Sequence, residues 1–265
     1  MKISDALILA IDTETTGVDC ESDRIVELGG AYVRGGYRWG PSLSSFVNPE
    51  RMIPPEASRI HRITDEMVID APLWPVICQW LRAHIEAQPL VLAGYNILAF
   101  DLPLIHAENR RAGIDWRLPV PLDPYLFARW YHPERSSKLT SIAEFYGIKL
   151  PESEAHRGDA DSIATALLLI AMVWAGYIPD DLEAALKKQG EIEAALIDER
   201  KRFGRWLYID REDRETLRVA IQNNRGRAVR ELDDSVLKKM MEYKEMTEEG
   251  RESIRRLVER QSALF

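Results

Sequence analysis

Residues 7–17 read LILAIDTETTG, so that five apolar side chains run directly into two carboxylates and a Thr-Thr-Gly turn. A short apolar run bounded by a turn is typical of a buried central strand. Because residues i and i+2 lie on the same face of a strand, Asp12 and Glu14 point the same way, where their charges repel unless a cation lies between them. This pattern predicts a divalent metal site, although a lone Asp-x-Glu is also compatible with solvated acids at a turn.

The composition indicates a globular chain. With 265 residues, 46% hydrophobic and 29% charged, the chain is long enough for one large core and a smaller appendage. No apolar run approaches the roughly 18 residues that span a bilayer, and residues 1–5 lack the layout of a signal peptide, so we expect a cytoplasmic protein. Cys20 and Cys78 have no Cys or His at ligand spacing, which argues against disulfides and zinc.

Charge is distributed unevenly along the chain. The net charge is −8, and residues 1–179 hold 16 basic and 23 acidic residues, whereas residues 180–265 hold 19 and 20. Residues 200–230 carry ten basic and four acidic residues. Three aromatic residues are interleaved with this basic stretch: Phe203, Trp206 and Tyr208. The stretch could follow a nucleic-acid backbone and stack bases, or it could be an ordinary solvated face.

The segments after residue 17 predict a sheet flanked by helices. Residues 23–33 alternate as a strand does, and Gly35-Gly36 supply a hairpin turn before a third strand over 37–47. A fourth, buried strand is predicted over 90–96. Apolar spacing and turn residues predict the main helices, which we place at residues 73–87, 101–111, 136–147 and 162–174.

Two further acidic segments follow or open buried elements. Asp101 comes after the strand that ends at Asn96 and lies at the mouth of a helix, where it is either a ligand at a strand carboxyl end or a helix N-terminal acid. Asp161 lies in the first turn of an almost wholly apolar helix. His156 precedes that helix; a His there is either a surface residue or a base that takes a proton from water beside a metal site.

Together these segments resemble the three motifs of the DEDDh 3′→5′ exonucleases, the superfamily of the proofreading epsilon subunit of bacterial DNA polymerase III. The resemblance covers residues 7–174, with the motifs in the same order. The matching segments are Asp12-x-Glu14 with Thr15-Thr16-Gly17, Gly94-Tyr95-Asn96 with Phe100-Asp101, His156-x4-Asp161, and the intervening Ile60-His61-Arg62-Ile63-Thr64.

The resemblance implies an RNase H-like α/β fold, a mixed five-stranded sheet flanked by helices whose first three strands form an antiparallel meander. It implies two Mg²⁺ or Mn²⁺ ions, one held by Asp12, Glu14 and Asp161 and the other by Asp12 and Asp101. One ion would activate the attacking water and the other would stabilise the departing 3′ oxygen, with His156 as general base. It further implies substrate contacts through Thr13, Thr15, His61 and Asn96, although a Thr-Gly turn also accounts for Thr15 and a structural loop histidine for His61.

The resemblance stops after Gly176, so we predict a catalytic domain over residues 1–176 and a mainly helical extension over 177–265 that binds substrate or a protein partner. Helices are expected over 181–202, 211–223 and 235–261, with a short strand or turn at 206–209. The predicted function is removal of nucleotides from the 3′ end of DNA. Two alternatives stay open: an exoribonuclease, and a catalytically silent binding or assembly subunit.

Overall fold

A computed structural model gives the architecture for residues 1–148, 158–204, 207–214, 216–220, 225–243 and 246–262. The strands are β1 (Leu7–Thr15), β2 (Ile25–Arg34), β3 (Tyr37–Arg38), β4 (Leu43–Phe46), β5 (Val91–Ala93), β6 (Leu207–Ile209) and β7 (Leu217–Val219). The helices are α1 (Pro55–His61), α2 (Asp65–Val68), α3 (Trp74–Glu86), α4 (Asp101–Arg111), α5 (Pro124–Tyr131), α6 (Leu139–Phe145), α7 (Gly158–Trp174), α8 (Leu182–Phe203), α9 (Asp234–Met241) and α10 (Glu248–Ser262). A short 3₁₀ turn spans Val229–Glu231.

The main sheet is built around β1. Its strand order is β3-β2-β1-β5, and β4 also pairs with β2. β1 runs antiparallel to β2 and parallel to β5, while both β3 and β4 run antiparallel to β2. The predicted mixed five-stranded sheet is therefore confirmed, and β1 is its central strand because its apolar run can be buried on both faces.

Helices cover both faces of this sheet. Leu9 and Ile11 belong to a buried cluster with residues of α3 and α4, and α7 packs against β1 and β2. Since side chains alternate along a strand, the even-numbered residues of β1 point to the opposite face from Leu9 and Ile11. Asp12 and Glu14 thus lie on the α7 face, whereas Thr13 lies on the α4 face.

Three predicted elements differ in the structure. The strand expected over 37–47 is divided into β3 and β4, because Gly40 has φ +81° and Pro41 has no N–H to donate to a ladder. The helix expected over 211–223 was wrong for the described residues of that range, since they include β7, which pairs antiparallel with β6. Residues 215 and 221–223 lie outside the described residues. The helix expected over 235–261 is two helices, α9 and α10.

The chain divides into two compact units. The first comprises Met1–Tyr125 and Lys138–Gln189, and the second comprises Leu126–Ser137 and Gly190–Phe265. The second unit has its own apolar core, in which Phe203, Leu237 and Ile254 are buried. The predicted assignment of catalysis to residues 1–176 stays a prediction. In the part of the chain that the structure describes, no helix is long and apolar enough to cross a membrane.

Gly94, directly after β5, offers a test of how tightly the strand ends pack. A Cβ at this position would lie 2.6 Å from the Ile97 Cβ and 3.0 Å from the Ile11 carbonyl oxygen of β1. We expect Gly94→Ala to lower the free energy of unfolding by about 1–3 kcal/mol through overpacking, measured by urea denaturation. Gly190→Ala is the control, because its Cβ would meet nothing within 4 Å and Ala favours a helix. Equal effects of the two substitutions would contradict this account.

Candidate functional site

The end of β1 brings Asp12 and Glu14 to one face of the sheet. Both side chains are half-buried, and Glu14 is paired in register with Glu27 of the antiparallel strand β2. Ser44 Oγ donates a hydrogen bond of 2.7 Å to Glu27 Oε1. Like charges directly opposite one another destabilise a sheet, so a third carboxylate adds to the negative charge at this strand end. Glu27 was placed in a predicted strand, but it was not identified from the sequence as a neighbour of Asp12 and Glu14.

Asp101 is held against the other face of β1. It is the first residue of α4, only 2% exposed, and its Oδ1 accepts hydrogen bonds from Thr13 N–H at 3.0 Å and from Thr13 Oγ1 at 2.6 Å. These bonds connect α4 to the strand residue that lies between Asp12 and Glu14. Thr13 therefore positions Asp101, a role that was not predicted from the sequence.

Asp161 completes the acidic group from the α7 side. It lies in the first turn of α7, a helix that packs against β1 and β2. Its charge raises the pKa of both Asp12 and Glu14, so it faces the same region. His156, the predicted general base, lies outside the described residues.

Burial raises the pKa values of three of these acids, and neighbouring carboxylates add to the effect for two of them. Burial, then the charges of Asp101, Glu14, Asp161 and Glu27, hold the pKa of Asp12 well above its usual range. Burial, followed by repulsion from Glu27, raises the pKa of Glu14 from 4.5 to about 8. Burial also raises the pKa of Asp101 from 3.8 to about 6, against the opposing effect of the hydrogen bonds from Thr13. Burial is the largest cause of all three shifts, and neighbouring carboxylates raise the pKa values of Asp12 and Glu14 further.

The donor type and charge of this acidic cluster fit a divalent metal. The carboxylates of Asp12, Glu14, Asp101 and Asp161 offer the hard oxygen donors that Mg²⁺ and Mn²⁺ prefer. A cation would also offset the burial and the carboxylate repulsion that raise the pKa values of Asp12 and Glu14. In the part of the chain that the structure describes, no three Asp, Glu, His or Cys side chains are already gathered as ligands of one ion.

Two of the residues expected to contact substrate, Thr15 and His61, form hydrogen bonds within the protein. Thr15 Oγ1 donates to the Gly17 carbonyl at 2.5 Å, and His61 is 7% exposed with Nδ1 accepting from Ile63 N–H at 3.0 Å. His61 Nε2 is buried and has no hydrogen-bond partner among the described residues. Asn96 has φ +62°, a left-handed conformation that Asn tolerates better than most residues. Substrate contacts through Thr13, Thr15, His61 and Asn96 stay predictions.

Asp123 is a buried acid that the sequence did not reveal. It is 1% exposed, and its carboxylate accepts hydrogen bonds from the backbone N–H of Asn96 at 2.8 Å, Tyr125 at 3.1 Å and Leu98 at 3.3 Å. Its own N–H donates to Gln189 Oε1 at 2.7 Å. Asp123 thereby shapes the turn from β5 to Asp101. Its only sequence signal was a carboxylate directly before a proline in a Pro-rich segment.

The raised pKa of Glu14 predicts how stability depends on pH. Because the folded-state pKa lies above the unfolded one, the folded protein binds more protons between pH 4.5 and about 8, and stability falls as pH rises through that window. In EDTA, we expect Glu14→Gln to make this fall shallower and to raise Tm at pH 8 by about 2–4 °C. Calorimetry across pH 4–9 measures it, with exposed Glu56→Gln of α1 as control. A Glu14→Gln profile that matches wild type would refute the interpretation.

Asp123→Asn tests the turn that leads to Asp101. The substitution keeps the shape but replaces one acceptor oxygen by an NH₂ group, which must face a backbone N–H donor. We expect a loss of about 1–3 kcal/mol in the free energy of unfolding, measured by urea denaturation. Asp115→Asn, at an exposed position, should change stability by less than about 0.5 kcal/mol. A neutral Asp123→Asn variant would show that these hydrogen bonds do not stabilise the turn.

Comparison with known proteins identifies the family to which the chain belongs. A family model described as Exonuclease matches residues 9–169, more than half of the chain. The chain is 30% identical over 168 residues to DNA polymerase III subunit epsilon of Treponema pallidum, covering 62% of this chain and 75% of that protein. It is also 30% identical over 161 residues to 3′-5′ exonuclease DinG of Staphylococcus saprophyticus, covering 60% of this chain but only 17% of that protein.

Solved structures agree in fold. Exonuclease X in complex with 5′ overhanging duplex DNA is 25% identical, with a TM-score of 0.54 over 69% of this chain and 99% of that chain. E. coli exonuclease I in complex with a dT13 oligonucleotide is 18% identical, with a TM-score of 0.55 over 64% of this chain and 41% of that one. The predicted RNase H-like fold and the predicted family are both confirmed. The chain belongs to the exonuclease family.

Proposed function

We propose that the protein is a metal-dependent 3′→5′ exonuclease that releases nucleoside monophosphates from DNA ends. The observation that carries the proposal is the cluster of Asp12, Glu14, Asp101 and Asp161 at the end of the central strand, where each adds to the negative charge of the others. Such a cluster destabilises the folded protein unless a cation offsets its charge. A divalent cation bound to carboxylates is suited to phosphodiester hydrolysis.

Each residue of the proposed site has a distinct role. Asp12, Glu14 and Asp161 would hold one ion, and Asp12 with Asp101 would hold a second. When bound, the metal would supply an activated water and stabilise charge on the leaving 3′ oxygen. Thr13 keeps the Asp101 carboxylate against β1 through two hydrogen bonds. His156 would take the proton from water.

The choice of DNA rests on the relatives. The matched proteins include a DNA polymerase subunit, and exonuclease X and exonuclease I are known in complexes with DNA or a deoxyoligonucleotide. We further propose that residues 177–265 bind substrate or a protein partner. Two free cysteines, Cys20 and Cys78, are compatible with a reduced, cytoplasmic setting.

The proposed activity is tested with end-labelled strands. Single-stranded DNA, duplex DNA and RNA are incubated with the protein in Mg²⁺, Mn²⁺ or EDTA. We expect a ladder that shortens from the 3′ end of DNA with either metal and no cleavage in EDTA. A preference for RNA would show that the substrate is RNA and not DNA. Inertness with every metal and strand would indicate a catalytically silent binding subunit.

Two substitutions separate the roles of ligand and base. We expect His156→Ala to reduce turnover by about 10²–10⁴-fold while leaving Mn²⁺ binding largely intact, because a general base contributes to the chemical step. Asp12→Ala should weaken Mn²⁺ binding itself. Calorimetric Mn²⁺ titration and single-turnover kinetics measure both quantities. Equal and small effects of the two substitutions would rule out this assignment.

A further inference from the structure

A short extended segment borders β5 at one edge of the main sheet. In this segment, Leu122 N–H donates to the Leu92 carbonyl at 2.8 Å, and the Leu122 carbonyl accepts from Gly94 N–H at 3.2 Å. Because successive backbone groups of an extended segment point to opposite sides, the Pro121 carbonyl and the Asp123 N–H point away from β5. Both groups belong to buried residues, where an unpaired backbone group is destabilising.

Gln189 of α8 pairs with both of these backbone groups. Its Oε1 accepts from the Asp123 N–H at 2.7 Å, and its Nε2 donates to the Pro121 carbonyl at 3.0 Å. One side-chain amide thus makes the two hydrogen bonds that a neighbouring strand would make. Gln189 is 3% exposed, and a buried amide is tolerated because its donor and its acceptor are both paired. Gln189 therefore fixes the backbone of Asp123 from the side opposite β5.

The Asp123 side chain connects this segment to the turn before α4. Its carboxylate accepts hydrogen bonds from the N–H groups of Asn96 at 2.8 Å and Leu98 at 3.3 Å. Within the turn, the Asn96 carbonyl accepts from Phe100 N–H at 3.2 Å, and Asp101 follows as the first residue of α4. The place where α4 begins thus depends on where the Asp123 carboxylate lies.

The Asp101 carboxylate is the last member of this series of hydrogen bonds. Its Oδ1 accepts two hydrogen bonds from Thr13 of β1, and it can reach them only while the turn holds the start of α4 in place. Gln189, Asp123 and Asp101 are all buried and all belong to the first unit. A buried network in which each member is paired is rigid, so that a change at Gln189 is felt at Asp101.

We propose that Gln189 is a positioning residue for Asp101. Gln189 holds the backbone of Asp123, and the Asp123 carboxylate holds the turn from which α4 begins. The consequence for metal binding rests on the proposed function, in which Asp101 is a ligand. Groups that surround metal ligands orient them and thereby contribute to the affinity for the metal.

Amide hydrogen exchange of the full chain in EDTA, followed by NMR, tests the positioning itself. Gln189→Met keeps an unbranched side chain of the same length and favours a helix, but it removes both hydrogen bonds. We expect the N–H groups of Asn96, Leu98 and Thr13 to exchange at least about tenfold faster. The Thr13 N–H is the decisive probe, because it donates to the Asp101 carboxylate. Exchange in the β2–β4 ladder should keep its wild-type rate.

Gln79→Met is the matched control, because Gln79 is exposed on α3 and the substitution is the same. It should change none of these exchange rates. Gln189→Asn keeps an amide but is one methylene group shorter, and it is the milder variant if Gln189→Met does not fold. We expect it to change the same rates in the same direction by a smaller factor. Thermal melting checks that each variant is folded, and a wild-type exchange rate at Thr13 in a folded Gln189 variant would overturn the proposal.

Calorimetric Mn²⁺ titration separates the positioning of a ligand from support of the turn alone. We expect Gln189→Met to raise the Kd for Mn²⁺ about tenfold and Gln79→Met to leave it unchanged. Wild-type Mn²⁺ affinity in a folded Gln189→Met variant would show that Gln189 supports only the turn, and would overturn the proposal. A wild-type protein that binds no Mn²⁺ would refute the proposed function, whereas exchange at Thr13 would still decide whether Gln189 positions Asp101.

Discussion

The repulsion among carboxylates at the end of β1 is the constraint on which the rest of the structure depends. Burial, and then the charges of neighbouring carboxylates, raise the pKa values of Asp12 and Glu14. Asp101, Asp161 and Glu27 all contribute to that charge. Folding alone gains nothing from this arrangement, because water would solvate each charge better than a half-buried strand end does. The cluster therefore lowers the stability of the fold. In the proposed function, a bound cation would offset this cost.

Two hydrogen-bonded devices keep the cluster in place against that repulsion. On one side, Thr13 donates its N–H and hydroxyl to Asp101, which ties α4 to β1. On the other, buried Asp123 accepts hydrogen bonds from the backbone N–H groups of Asn96 and Leu98, in the turn that follows β5, and from that of Tyr125 in α5. Because β1 and β5 are parallel neighbours, their carboxyl ends lie at the same edge, and both devices act there.

The second unit has an apolar core of its own and a polar turn of its own. Its apolar core is small, and a short β-hairpin with a turn organised by Asp210 displays Arg214. The sequence shows the basic residues of 200–230, but it does not show which side chains of this segment are exposed. Phe203 and Tyr208 are buried, so neither is available for the base stacking that the sequence suggested, and Trp206 lies outside the described residues.

The sequence by itself determined the central strand and the mixed sheet, because an apolar run of this length is buried on both faces. It also predicted that Asp12, Glu14, Asp101 and Asp161 lie at the ends of buried elements, and their role as metal ligands stays a prediction. It did not determine the role of Thr13, the buried turn-forming Asp123 or the β6–β7 hairpin. These depend on hydrogen bonds between residues far apart in the chain, such as the 88 positions between Thr13 and Asp101. Local periodicity carries no information about such partners, so only the tertiary structure, which brings the strand ends and helix starts together, could decide them.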